Sequence, residues 1–232
     1  PFDLASDLYD SLARLQTDYI DLYLLHRDDP AVPVDPMVEA LNEHLEAGRI
    51  HAFGGSNWTR ERIIEANEYA HKHGLRPFTA SSPNYGLADQ IEDPWGGGCV
   101  TISGPGNREA RAWYAANEMP VLAYSSLARG FLSGRVTPDN FEQVKDTLDR
   151  ACLTAYCHEP NFRRLERALR LSEEKGISVP QLVLAFMFAS PVNVFPIVGA
   201  ASKAELEDNL KAFAVTLSQE EREWLDLVRA ER

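Results

Sequence analysis

An α/β fold organised around a parallel sheet is the class this sequence predicts, and three observations predict it. Five short segments rich in β-branched, aromatic or other apolar residues recur along the chain. Amphipathic stretches with helical spacing lie between them, and turn and capping residues fall where one pattern gives way to the next. Strand and helix in regular alternation mean repeated β-α units, whose strands lie side by side in parallel.

The chain opens on a helical stretch, 4–15, with no strand-like segment before it. Residues 19–25 then read as a buried strand, because they form a nearly continuous apolar run instead of alternating with polar residues. A helix is expected over 37–47, closed by Gly48, which can take the left-handed conformation of a helix end without a Cβ penalty. Strand 50–56 follows, then a helix over 61–73 begun by Thr59, whose hydroxyl can cap the first turn, and closed by Gly74. Strand 77–82 leads into the longest connection, where Gly96-Gly97-Gly98 and Gly104-Pro105-Gly106 read as loop. Helix 108–117 and strand 120–126 complete a further unit. The polar, proline-bearing tract 133–160 is open to two readings, a flap facing substrate or a mobile surface insertion. Helices over 162–175, closed by Gly176, and over 180–188 precede the last strand, 193–199; Ser202 begins another helix. The charged stretch 218–232 reads as a helix capping the fold through Leu225 and Leu227.

A chain of 232 residues with 44% hydrophobic side chains can bury one sizeable core, so a single domain over 1–232 is expected. A formal charge of −12 without a local basic patch opposes nucleic-acid binding through its long-range field. Cys99, Cys152 and Cys157 lack C-x-x-C or zinc-finger spacing, and His71 and His73, two apart on a helix, point in different directions; no metal site is expected. Odd, unpaired thiols suit a reducing compartment. No apolar run nears the length of a membrane span, and the start lacks a signal peptide's basic-then-apolar order. A cytoplasmic protein with no membrane partner is therefore expected.

His26 directly follows the first strand, within Asp18-Tyr19-Ile20-Asp21-Leu22-Tyr23-Leu24-Leu25-His26. A histidine at a strand end is often structural. Here the run resembles one found in the aldo-keto reductases, and further segments continue the resemblance in order over essentially the whole chain. Gly54-Gly55-Ser56-Asn57-Trp58 is similar to the family's G-x-S-N segment, Ser81-Ser82-Pro83-Asn84-Tyr85 to its strand-end segment, and Tyr124–Gly134 to its Y-S-P-L-x-x-G-x-L-T-G stretch. Phe195-Pro196-Ile197-Val198-Gly199-Ala200-Ala201-Ser202-Lys203, with Glu205, Asp208 and Asn209 beyond, resembles its strand-to-helix site for adenosine phosphate.

The resemblance implies an incomplete (β/α)8 barrel of TIM type, with the equivalents of strands 4–8 present. It implies NAD(P)H-dependent reduction of an aldehyde or ketone. His26 would belong to a catalytic Asp-Tyr-Lys-His set. Ser56 and Asn57 would hold the nicotinamide carboxamide. Ser82 stands where the family usually has a glutamine, and its shorter hydroxyl would need a closer approach or a water. Tyr124 would stack on the nicotinamide ring, while Ser125, Leu127 and Arg129 would meet the pyrophosphate or its surroundings. Gly199, Ser202, Lys203, Asp208 and Asn209 would surround the adenosine end, with Asn209 on the adenine. Without the resemblance, Ser56-Asn57 reads equally as a turn or cap, and Arg129 as a surface arginine.

Family habit favours NADP(H) over NAD(H). This chain departs from it by carrying Gly199, Ala200 and Glu205, and Glu205 is unfavourable beside a 2′-phosphate. The aspartate, tyrosine and lysine of the catalytic set have no counterpart, so the chain is expected to be inactive alone, with an amino-terminal segment or another subunit completing the barrel. The alternative is a non-catalytic binding or interaction module on a degenerate reductase scaffold. G-x-G-x-x-G, P-loop and G-x-S-x-G motifs are absent from the sequence, which weighs against a doubly wound nucleotide fold and a hydrolase.

Overall fold

In a computed structural model of the chain, residues 2–232 are described; Pro1, where the expected domain starts, lies outside them. Contacts group the chain into two compact units meeting in sequence between Ser82 and Pro83.

The first unit runs α1 (Phe2–Leu15), β1 (Ile20–Leu25), α2 (Asp35–Glu46), β2 (Ile50–Ser56), α3 (Arg60–Lys72) and β3 (Ala80–Ser82). β1 pairs in parallel with β2, Ile20 opposite Ile50 and Leu25 opposite Gly55; β2 pairs in parallel with β3, Gly54 opposite Ala80 and Ser56 opposite Ser82. This register brings the carboxyl ends of the three strands level. Leu8 and Leu12 of α1, Val38 and Leu41 of α2, and Ile63, Ala66 and Ala70 of α3 are buried at spacings of three and four, the stripe that turns a helix toward a core. Thr59 caps α3 by accepting the Arg62 N–H.

The two glycines of β2 have steric causes. A Cβ on Gly54 would lie 2.0 Å from the Ala80 carbonyl oxygen, and one on Gly55 would lie 2.6 Å from the fully buried Trp58 ring. Strand β3 is shorter than expected, because Pro77 has no N–H and the Phe78 N–H goes to the Asn67 side chain at 2.8 Å. Asn42 similarly accepts the Arg76 N–H at 2.8 Å, so two side-chain amides, of which Asn42 is buried, fix the approach to the strand.

The second unit holds α4 (Arg108–Ala116), β4 (Val121–Ala123), α5 (Phe141–Val144), α6 (Arg150–Tyr156), α7 (Glu159–Lys175), α8 (Val179–Phe188), β5 (Val194–Pro196), α9 (Lys203–Leu210) and α10 (Gln219–Leu225). β4 and β5 pair in parallel, Val121 opposite Val194 and Ala123 opposite Pro196. Helix α8 is buried nearly all round, as the apolar run from Leu182 to Phe188 requires, and starts from a Ser178–Gln181 capping box.

Three segments gain detail. The tract 133–160, read as a flap or a mobile surface insertion, carries α5 and α6, and Phe141 packs edge-on against Phe162 at 4.9 Å. The last helix stops at Leu225, and Leu227 takes a left-handed φ of 61°. The long connection after β3 is a loop, as expected, but buried Asn84 organises it. Its Nδ2 donates to the Tyr124 carbonyl and to Tyr156 Oη, its Oδ1 accepts from Thr101 Oγ1, and its backbone bonds to Val100 and Ile102.

Candidate functional site

In the first unit, His26 sits exposed immediately beyond β1. Asn57, at a left-handed φ of 57°, donates from Nδ2 to the His26 carbonyl (3.3 Å) and to Ser56 Oγ (3.2 Å). Ser56 Oγ donates in turn to the Ser82 carbonyl (3.0 Å), which also accepts the Asn57 N–H (3.2 Å). Asparagine tolerates the left-handed region better than most residues, which lets the chain turn here. His26, Ser56, Asn57 and Ser82, expected from the sequence to act together, therefore form one hydrogen-bonded row across three strand ends. Asp28, beyond His26, forms a bidentate pair with Arg62 of α3, with Nε–Oδ2 at 2.8 Å and Nη2–Oδ1 at 3.1 Å. It anchors the loop.

In the second unit, the segment after β4 turns sharply. Ser125, Ala128 and Arg129 all have φ between 50° and 55°, and three left-handed non-glycine residues in five store strain that the surrounding packing must hold. Tyr124, Ser125, Leu127, Arg129, Gly199 and Glu205 line a cavity of about 590 Å³, within the size range of small-molecule sites. Burial, and then the neighbouring Cys99 thiol, raise the Tyr124 phenol well above its ordinary value, so it stays protonated. Tyr156 is pushed up to about 12 by burial, while hydrogen bonds with Ser125 and Asn84 oppose the shift.

Arg129 reaches the cavity already engaged. Its guanidinium donates from Nε to both Asp149 oxygens, at 3.1 and 3.0 Å, and lies 5.6 Å from the Trp95 ring centroid. The pair raises the arginine above its usual value and holds Asp149 below the usual carboxylate range, chiefly through this hydrogen bond in both cases. Asp149 also caps α6 by accepting the Cys152 N–H at 2.7 Å.

At the β5–α9 junction, Ser202 caps α9 by accepting the Glu205 N–H at 3.1 Å. Asn209 is 4% exposed, its Nδ2 has no hydrogen-bond partner, and it borders an apolar cavity of about 380 Å³ with Pro196, Val198, Leu206 and Leu210. An unpaired buried amide costs about 1–3 kcal/mol, so an acceptor-bearing planar ring among those apolar walls fits this position well. Two expected cofactor residues have partners within the protein. The Lys203 side chain is 88% exposed and pairs with Glu207 at 3.5 Å, because its position on α9 points it outward. Asp208 accepts from Ser178 Oγ (2.8 Å), Gln181 Nε2 (2.7 Å) and Lys211 (3.0 Å), which fastens α9 to the start of α8.

Sequence reading missed Asp149, Trp95, Asn84 and Tyr156. Asp149 could have been found as a helix cap before Arg150; its partnership with Arg129, twenty residues away, left no local signal.

Comparison with known proteins gives a consistent result. The profile described as "Aldo/keto reductase family" matches residues 3–229. The uncharacterized oxidoreductase YrpG of Bacillus subtilis (strain 168) is 28% identical over 221 residues, covering 94% of this chain and 61% of that protein. The putative aryl-alcohol dehydrogenase AAD16 of Saccharomyces cerevisiae is 26% identical, covering 93% of this chain and 58% of its own length. The crystal structure of the thermostable aldo-keto reductase Tm1743 with the inhibitor epalrestat superposes with a TM-score of 0.70 at 25% identity, over 98% of this chain and 66% of that one. The chain thus spans about three fifths of the length of the curated relatives it matches.

Proposed function

Since the chain belongs to the aldo/keto reductase family across residues 3–229, with an α/β fold of TIM-barrel type, we propose that it serves an oxidoreductase that reduces an aldehyde or ketone with NAD(P)H. One observation carries the reading: the folded second unit brings Tyr124–Arg129 and Gly199–Glu205, about seventy residues apart in sequence, to the walls of a single cavity. These are the two segments the family resemblance assigns to the dinucleotide.

In the first unit, the proposal gives His26 the carbonyl oxygen, and gives Ser56, Asn57 and Ser82 the carboxamide end of the cofactor. The hydrogen-bonded row, which His26 and Ser82 enter through their backbone carbonyls, would hold the Ser56 and Asn57 side chains fixed before any ligand arrives, which reduces an ordering cost. In the second unit, Tyr124 offers a protonated, half-buried ring as a stacking surface, and Ser125 and Leu127 line the path of the pyrophosphate. Arg129 reaches a phosphate by exchanging Asp149 for it, a trade between two charge-assisted contacts. Asn209 supplies its unused amide to the adenine. A bound nicotinamide supplies the hydride. On family grounds alone the dinucleotide is NADP(H) before NAD(H).

Carbonyl reduction also needs an acid for the developing alkoxide. The Tyr124 and Tyr156 phenols, both held above their ordinary values by burial, are poor candidates. The proposal places the family's tyrosine, lysine and aspartate, with three further barrel strands, outside these 232 residues, on an amino-terminal segment or another subunit. The chain by itself would then be inactive. Exposed Phe195 and Ile197 at β5 support a further covering segment there. The chain is read as one family domain over 1–232. Its substrate is a small carbonyl compound, with neither nucleic acid nor membrane as partner, and its three unbridged cysteines support a cytoplasmic setting.

A second reading, a binding or interaction module without catalysis, is favoured by Ser82, whose short side chain stands at the family's glutamine position. Fluorescence titration with NADPH and NADH separates the readings from failure of both. Binding supports the cofactor assignment, turnover by a version extended before Pro1 supports the enzyme, and no binding by either form removes the proposal.

A further inference from the structure

The family-based preference for NADP(H) meets a local obstacle at the start of α9. The Glu205 carboxylate accepts the Ala201 N–H through Oε2 at 2.8 Å, while the Glu205 N–H donates to Ser202 Oγ at 3.1 Å. The carboxylate is thereby held at the Ala201 N–H, just before the Ser202 cap, and sets a negative charge beside a helix start that would otherwise attract an anion. Glu205 lines the same cavity as Tyr124 and Arg129, so its charge belongs to the site and not to a remote surface.

Of the other charged residues lining the cavity, Arg129 is held by Asp149, and Arg135 carries the remaining cation, its Nε directed to Ser133 Oγ. Ile197, Val198, Gly199 and Ala201, the other lining residues at this end, are uncharged. Lys203, the cation sequence reading placed here, pairs with Glu207 and points to solvent. A second observation lies one turn further along α9: Asn209, 4% exposed and with an unpartnered Nδ2, borders a neighbouring apolar cavity that shares Val198 with this one.

Resting on the dinucleotide reading above, we infer that Glu205 makes this chain select NAD(H) over NADP(H). A carboxylate accepts hydrogen bonds from ribose hydroxyls, the use a strand-end acid has in other dinucleotide sites. A 2′-phosphate brings like charge against it, and can take the Ala201 N–H only by displacing the side chain that already holds it. Open space around Gly199, where a Cβ would meet no atom within 4 Å, leaves room for the ribose itself.

The test is calorimetric titration of the chain and of Glu205→Gln with NADH, NADPH, 5′-AMP and adenosine 2′,5′-bisphosphate. Glutamine keeps a side-chain oxygen for the Ala201 N–H and removes only the charge; thermal melting checks that the fold is retained, with Glu205→Ser as the second variant. The expected result is binding of NADH and 5′-AMP at least about tenfold tighter than their 2′-phosphorylated counterparts, about 1.4 kcal/mol. In Glu205→Gln the gap narrows by about threefold or more, mainly through tighter binding of the phosphorylated ligands. Preference for NADPH in the unmodified chain, or a ratio unchanged in both variants, overturns this inference and leaves the dinucleotide reading standing. No binding of any of the four probes overturns both.

Discussion

Replacing Gly54 with alanine tests the packing that sets the carboxyl-end row in the first unit. The added Cβ would lie 2.0 Å from the Ala80 carbonyl oxygen, 2.8 Å from its carbon and 3.1 Å from Leu24 Cδ2. Two of those neighbours are backbone in the adjacent strand, so relief requires β2 and β3 to separate by more than 1 Å instead of a side chain rotating away. Overpacking costs about 1–3 kcal/mol in general, and strand separation also weakens the ladder that sets Ser56 opposite Ser82. The upper half of that range is therefore expected, about 2–3 kcal/mol. Equilibrium urea denaturation followed by circular dichroism measures it as a lower midpoint at unchanged slope. Gly48→Ala is the control: its φ of 70° carries a backbone penalty of about 1 kcal/mol, but a Cβ there meets nothing within 4 Å. If Gly54→Ala is no more destabilising than Gly48→Ala, the steric account of the paired glycines is refuted.

Asp149→Asn keeps a cap on α6, since asparagine caps about as well as aspartate, but frees Arg129; pyrophosphate-containing nucleotides should bind about two- to tenfold tighter by titration, and weaker binding would refute the competition. Arg129 holds the Asp149 carboxyl below its usual range, so the pair's contribution is present above the unfolded value near about pH 4. It is lost as pH falls through the lower folded value, and the difference in melting temperature between the chain and Asp149→Asn should shrink over that interval. The Cys152 S–H donates to the Ala128 carbonyl, and its interaction with the neighbouring Cys157 lowers the Cys157 thiol and raises Cys152; peptide mass mapping after iodoacetamide at neutral pH should find Cys157 labelled first and Cys152 labelled only on unfolding. Asn209→Leu removes an unpaired buried amide, so stability should hold or rise by about 1 kcal/mol while affinity for 5′-AMP falls at least about tenfold; unchanged affinity would detach Asn209 from the adenine.

The alternation of elements was legible in the sequence because it rests on local periodicity. Leu8 and Leu12, or Ile63, Ala66 and Ala70, declare a buried helical stripe at spacings any reader of the chain can see. Thr59, Ser202, Gly48 and Gly176 act where expected because a cap depends on the few residues around it. The segments carrying the family resemblance were legible for the same reason: Ser56-Asn57 and Tyr124–Gly134 are contiguous.

Partnerships across the chain were decided only by tertiary structure. Arg129, a charge suited to phosphate, is met by Asp149 from twenty residues away, and the Asp208 carboxylate accepts from Ser178 and Gln181. Lys203 carries the charge a phosphate needs, but its place on the first turn of α9 points it away from the cavity. Phe78, expected in a ladder, gives its N–H to Asn67. In each case the sequence determined the chemical group and its local backbone, while its direction and partner followed from distances between segments that no local pattern encodes.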